Sequence, residues 1–194
     1  MRAAQLLGVG RRKTLVGILA ATRCRMHAQP VRKRLLIVYH SSTGGTLQMV
    51  EAAARGAREE SNIAVDLKHA SLCGIEDVLA ADGYLFASPE NLAAMSGMLK
   101  DFFDRTYYQG LGHLNGRPYS ILICAGSDGQ NAARQIARCA TGWRLRAVTE
   151  PIIILTRAQT PEKILAPKTI PDEHLQQCHA VGATLASGLE LGIF

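Results

Sequence analysis

Long apolar runs are absent: nothing approaches the roughly 18 consecutive apolar residues of a membrane-spanning helix, so no span is expected. Cysteine is scarce and scattered. Cys24, Cys73, Cys124, Cys139 and Cys178 are odd in number and form no CxxC pair, which argues against a disulfide framework and for buried thiols in a reduced, cytoplasmic chain. The six histidines offer no ligand set: His174 and His179, five apart on a helix, face different ways, so no metal site is expected. Acidic residues are missing up to Glu51, whereas nine of the 22 Lys and Arg fall in residues 1–34. The formal charge of +6 therefore belongs to the leader, and from Leu35 onward 13 basic side chains stand against 16 acidic ones. Nucleic-acid binding loses its main support.

What is present describes one globular domain. The 194 residues are 47% hydrophobic and 20% charged, enough apolar mass for a full core, which excludes disorder, collagen and coiled coil. Residues 1–33 stand apart. They carry Arg11-Arg12-Lys13, a short apolar stretch Leu15–Ala21, then Arg23 and Arg25. They fit a targeting segment of secretory, twin-arginine or transit type, or an upstream extension with Met26 as the true start. The expected organisation is a basic extension over 1–33, disordered or removed, and a single domain over 34–194.

From Arg34 the chain alternates β-branched runs with helical patterns, the signature of parallel strands joined by crossover helices. Leu35–Tyr39, Ile63–Leu67, Tyr84–Ala87, Tyr119–Ala125 and Val148–Leu155 read as five strands, the last interrupted by Pro151. Helices are expected over 47–60, 75–81, 95–107 and 131–141, with a last one beginning near Pro171. This is an α/β chain with a doubly wound, five-stranded parallel sheet covered by helices on both faces.

In such a sheet ligands bind beyond the carboxyl ends of the strands, where strand order reverses, which directs attention to the loops after strands one, three and four. The first, His40-Ser41-Ser42-Thr43-Gly44-Gly45-Thr46, opens directly into a helix. Its hydroxyls, glycines and first-turn N–H groups make an anion pocket suited to a phosphate. Neither GxxxxGK[ST] nor GxGxxG occurs, and a loop with no Lys or Arg suits one terminal phosphate better than a triphosphate. The alternative is an ordinary Ser/Thr-rich cap on the first helix.

Ser41-Ser42-Thr43-Gly44-Gly45-Thr46 resembles the (S/T)-x-T-G-x-T phosphate loop of flavodoxins. The stretch from Ser88-Pro89-Glu90-Asn91 through Met95-Ser96-Gly97-Met98-Leu99-Lys100 to Asp104-Arg105 resembles the S-P-x-Y-x-x-x-M-S-x-x-L-K-x-F-x-D-R segment of the NAD(P)H-dependent FMN reductase and quinone reductase branch. The resemblance, over about 34–194, implies a flavodoxin-like sheet of order 2-1-3-4-5. It also implies an FMN cofactor. Ser41, Ser42, Thr43, Gly44, Gly45 and Thr46 would hold the phosphate, and Ser88, Pro89, Glu90, Asn91 and Met95 would lie along the ring. The loop after strand four, with Ala125, Gly126, Ser127 and Gly129, would close the other side; otherwise it is a plain turn with Asp128 as a helix cap. One position departs from the family: Asn91 followed by Leu92 stands where an aromatic residue commonly stacks on the flavin. Tyr39, Tyr107, Tyr108 or a partner subunit could supply stacking instead, whereas Trp143 reads as packing against strand five.

The implied activity is oxidation of NADPH or NADH through bound FMN, with electrons passed to a small-molecule acceptor such as a quinone or flavin. No catalytic residue is assigned, because hydride transfer needs no protein acid or base; Glu90 is either a proton relay or a solvated carboxylate. A phosphate neutralised only by dipoles, together with Glu90, would lower the flavin potential. The alternatives are a flavodoxin-type electron carrier docking a redox partner protein and a non-catalytic binding module. Ser41 and Ser42 are not hydrolase nucleophiles, since no GxSxG surrounds them. The resemblance also implies a homo-oligomer.

Overall fold

The computed structural model describes residues 32–194, so the readings of the leader fall, but for Arg32 and Lys33, outside the described residues. The chain runs β1 (Lys33–Tyr39), α1 (Gly45–Ala57), β2 (Ile63–His69), a 3-10 turn (Ala70–Leu72), α2 (Ile75–Ala80), β3 (Gly83–Asn91), β4 (Ala94–Met95), α3 (Gly97–Gly110), β5 (Pro118–Ala125), α4 (Gln130–Gly142), β6 (Arg146–Ala147), β7 (Ile152–Leu155), α5 (Pro161–Leu165) and α6 (Asp172–Leu191). β2, β1, β3 and β5 lie side by side and parallel, and β6 and β7 both pair with β5 on its far side. With β6 and β7 taken as two halves of one strand, this is the expected order 2-1-3-4-5, with β4 added as a short hairpin partner of β3. Among the described residues no helix is long and apolar enough to cross a membrane.

The division of the last strand has a local cause. Pro151 has no N–H to give to a ladder, so pairing with β5 lapses between Ala147 and Ile152. The gap is bridged by Val148 N–H to Tyr119 O, 3.1 Å, and by a short hydroxyl contact between Ser120 and Thr149. A second departure is at the third strand, which continues past Ala87 through Pro89 to Asn91 and folds back as β4.

Alternation along the central strands sends side chains to two different layers. Leu36, Val38, Tyr84, Phe86, Ile121 and Ile123 meet α2, α3 and α4, whereas Leu35, Ile37, Leu85, Ala87 and Leu122 meet α1 and α6. The first layer is aromatic. Phe86 lies among Tyr84, Phe102, Phe103, Tyr119 and Trp143, with ring centroids 5.2–6.4 Å apart. Trp143 packs against Phe86 of β3 and Phe102, Phe103 and Tyr107 of α3, and its Nε1–H donates to Tyr107 O at 2.9 Å.

The second layer is built on small residues. Ala53, Ala57 and Gly56 of α1 let α6 approach so closely that a Cβ on Gly182 would lie 1.9 Å from Ala53 O, and one on Gly56 2.1 Å from His179 O. Backbone cannot yield as a side-chain tip can, so Gly182→Ala is expected to lower stability by about 1–3 kcal/mol in urea unfolding. Gly97→Ala, where a Cβ meets nothing within 4 Å, is expected to stay within about 0.5 kcal/mol of the parent or gain slightly.

Candidate functional site

A cleft of about 550 Å³ opens at the carboxyl ends of β1, β3, β5 and β7. It lies where strand order reverses between β1 and β3. Of the expected residues, Ser41, Ser42, Thr43, Gly45, Thr46, Pro89, Glu90, Asn91, Ala125, Gly126 and Ser127 line it. Gly44, Ser88, Met95 and Gly129 do not; they shape the loops that do.

Gly44 and Gly129 are the residues that lead into α1 and α4, with φ of +85° and +80°, a left-handed turn that costs glycine little. Asp128 forms no side-chain cap on α4. Ser88 is fully buried; its hydroxyl accepts from Ser96 N–H at 2.9 Å and donates to Pro89 O at 2.8 Å, clamping the base of the β3–β4 hairpin. Met95, in the second arm of that hairpin, is buried and donates its N–H to Gln135 Oε1 at 3.0 Å. The hairpin tip, Leu92 and Ala93, has φ of +51° and +58°, and Asn131 Nδ2 holds it from α4 at Ala93 O, 2.6 Å.

The anion end is formed by the start of α1. The first-turn N–H groups have no acceptor inside the helix, and among the described residues only that of Leu47 is met by a side chain, Ser41 Oγ at 3.2 Å. Capping by a hydroxyl thus accounts for Ser41 alone. Thr46 is 1% exposed, lines the cleft, and its hydroxyl has no hydrogen-bond partner among the described residues. Glu90 Oε1, further along the cleft, is also buried without a partner. A buried polar atom left unpaired costs free energy, and of the four among the described residues, on His40, Thr46, Glu90 and His174, the two on Thr46 and Glu90 share this cleft.

The loop after β7 enters the cleft unforeseen. Thr156, Ala158, Ile164, Leu165 and Lys168 line it together with Leu92, Ala93 and Cys124. Lys168 N–H donates to Thr43 O at 2.8 Å, and the Gln48 amide holds the same stretch, donating to Lys168 O at 2.6 Å and accepting from Ile170 N–H at 3.1 Å. A lysine thus stands in the cleft wall because the last loop returns over the start of α1. Its ammonium group is committed to the end of α5, donating to Lys163 O at 2.7 Å, Ile164 O at 2.9 Å and Ala166 O at 2.5 Å. Cys124 is a protonated wall residue; burial pushes its thiol up to about 11, against the opposing pull of Lys168. The signal for this loop was its place after a parallel strand, the same rule that singled out the others.

Among the described residues no aromatic side chain lines the cleft. Tyr39 packs edge-on against His69, Tyr107 stacks on Trp143, and Tyr108 meets Tyr107 on α3. Leu92, Ile164 and Leu165, 102%, 51% and 76% exposed, stand at the mouth instead. Behind the loop, His40 lies 5.5 Å from His69, ring to ring, and burial followed by the His69 charge holds its pKa below the ordinary value.

Thr46→Val is expected to stabilise the ligand-free protein by about 1 kcal/mol in urea unfolding, because it removes the unpaired buried hydroxyl at nearly constant shape. A destabilised variant would show that the hydroxyl already has a partner.

Residues 72–159 match the family model of NADPH-dependent FMN reductase. The chain is 35% identical over 106 residues to a flavodoxin of Aquifex aeolicus, covering 54% of this chain and 55% of that protein. It is 33% identical over 112 residues to an NAD(P)H dehydrogenase (quinone) of Acidithiobacillus ferrooxidans, covering 46% and 56%. The chain thus spans about half the length of the curated relatives it matches. Among solved structures, an archaeal flavodoxin superposes with a TM-score of 0.65 at 18% identity over 81% of this chain and 99% of that one. Flavodoxin 1 of Bacillus cereus gives 0.65 at 16% identity, over 80% and 98%. The chain has the flavodoxin-like fold, and its residues 72–159 are similar to the NADPH-dependent FMN reductase family.

Proposed function

We propose that the cleft binds FMN, with the phosphate on Ser41–Thr46 and the ring between the β3–β4 hairpin and the loop after β5, and that the chain oxidises NADPH or NADH to reduce a small-molecule acceptor. The observation that carries this reading is the buried, unpartnered Thr46 hydroxyl beside the free first-turn N–H groups of α1. That donor set fits a phosphomonoester, and helix N-termini favour its negative charge. Bound there, FMN would accept two electrons as hydride and release them singly or in pairs.

The chain's residues then divide the work. Ser42, Thr43 and Thr46 offer hydroxyl donors and the start of α1 offers amides, while Lys168 stands in the wall with its ammonium bound to carbonyls at the end of α5. Glu90 sets a carboxylate further along the cleft, where it would disfavour a negatively charged reduced ring. Leu92, Ile164 and Leu165 would cover ring surface by apolar contact, without the face-to-face stacking that an aromatic residue gives. Retention of the cofactor therefore rests on its phosphate.

Purified protein mixed with FMN is expected to show a bound flavin spectrum that bleaches on anaerobic addition of NADPH or NADH. Bound flavin that stays oxidised would favour the electron carrier, the reading to which the flavodoxin relative points. Absence of binding would end the FMN reading. Riboflavin, which has the ring but no phosphate, is expected to bind about 100-fold more weakly than FMN in a fluorescence titration, about 2.7 kcal/mol. Equal affinities would place the binding energy in the apolar wall instead.

A further inference from the structure

Beside the main cleft lies a second hollow of about 440 Å³, lined by Gly126, Ser127, Leu155, Arg157 and Gln159. The two share Gly126 and Ser127, so they are neighbouring compartments of one surface. Their common wall is rigidly made. Thr156 is tied to Ala125 O through its N–H at 2.8 Å and its hydroxyl at 3.1 Å, and a Cβ on Gly126 would stand 3.0 Å from Ala158 O.

Arg157 is exposed and shares a left-handed backbone with Arg144; what sets it apart is its place on the hollow beside the cleft. Its backbone is left-handed, with φ of +54°, a conformation unfavourable for a residue with a side chain. Its guanidinium makes no ion pair or hydrogen bond among the described residues, although exposed Asp128 is close in sequence to Ser127 and Glu162 lies in the first turn of α5. It also faces a hollow whose other polar side chains, Ser127 and Gln159, have no partner among the described residues either. A planar fork of donors with two neutral donors beside it matches the oxygens of a phosphate group better than a single-point acceptor.

We propose that this hollow receives a phosphate of the nicotinamide dinucleotide, with Arg157 as its principal contact, while the nicotinamide reaches the main cleft across Gly126 and Ser127. The inference rests on the reductase reading and adds to it a residue that selects the reductant.

The test uses FMN-loaded full-length protein with Arg157→Gln and Arg157→Gly, the second of which relieves the left-handed backbone and so keeps the fold. Adenosine 2′,5′-bisphosphate is titrated by calorimetry, and KM is measured for NADPH and NADH. Both variants are expected to lose at least 10-fold in bisphosphate affinity and to raise the NADPH KM at least 10-fold, with kcat and FMN affinity unchanged. An unchanged NADH KM would assign the contact to the 2′-phosphate; a parallel rise would assign it to the pyrophosphate. Unchanged bisphosphate affinity and unchanged KM values would overturn the inference and leave the reductase reading standing. If the wild-type protein binds FMN but oxidises neither nucleotide, the reductase reading fails. The bisphosphate titration then decides alone: loss of binding in Arg157→Gln keeps a phosphate site, and no binding to the wild type removes it.

Discussion

The approach of Gly45 to β5 is the contact on which the site depends. A Cβ at that position would stand 2.6 Å from Cys124 Sγ and 3.3 Å from Lys168 Cβ, so only glycine lets the start of α1 sit against the sheet and the returning loop together. The left-handed turn at Gly44 aims the helix there, and α6 presses it from behind across Gly56 and Gly182. A helix start held this way presents its free N–H groups to the cleft, at a position that side-chain packing rather than ligand binding has set. Gln48, one turn further on, then fastens the last loop over it.

Where the aromatic residues went explains what the cleft is made of. The chain has ten, and Tyr84, Phe86, Phe102, Phe103, Tyr107, Tyr119 and Trp143 all belong to the layer under α3 and α4. That layer gains dense ring packing, and the cleft on the other end of the same strands is left with aliphatic walls. Binding there is consequently polar at one end and apolar without stacking at the other. Two buried polar atoms, on Thr46 and Glu90, and the left-handed residues Leu92, Ala93 and Arg157 lie along this surface or beside it. Five of the eight such local costs among the described residues gather in this region, the others being at Arg144, His40 and His174, and that concentration marks a surface shaped by more than stability.

Much of this was legible from local pattern. The continuous apolar strand Leu35–Val38, the hydroxyl- and glycine-rich turn after it and the spacing of Leu99, Phe102 and Phe103 each report a local requirement, whether burial on both faces, a free helix start or a helix face. Other features were hidden because no local signal exists for them. The β3–β4 hairpin turns on Leu92-Ala93, two residues that hardly ever form such a turn unaided, and is held by Asn131 and Gln135 from elsewhere in the chain and by Ser88 at its own base. The return of residues 156–168 over the cleft likewise depends on Gln48 and on the Thr43 carbonyl, more than 100 positions away.

By itself the sequence determined the class of fold, the order of its principal elements and the phosphate-type loop, since each follows from periodicity, β-branched runs and glycine placement within a few residues. Only the tertiary structure decided that Lys168, Ile164 and Leu165 join that loop, that Ser88, Met95, Gly44 and Gly129 support the cleft without lining it, and that no ring stands at its mouth. The reason is the same in each case. A side chain's place in a cleft is fixed by which distant segments pack together, and packing is a sum over contacts that no short stretch of sequence contains.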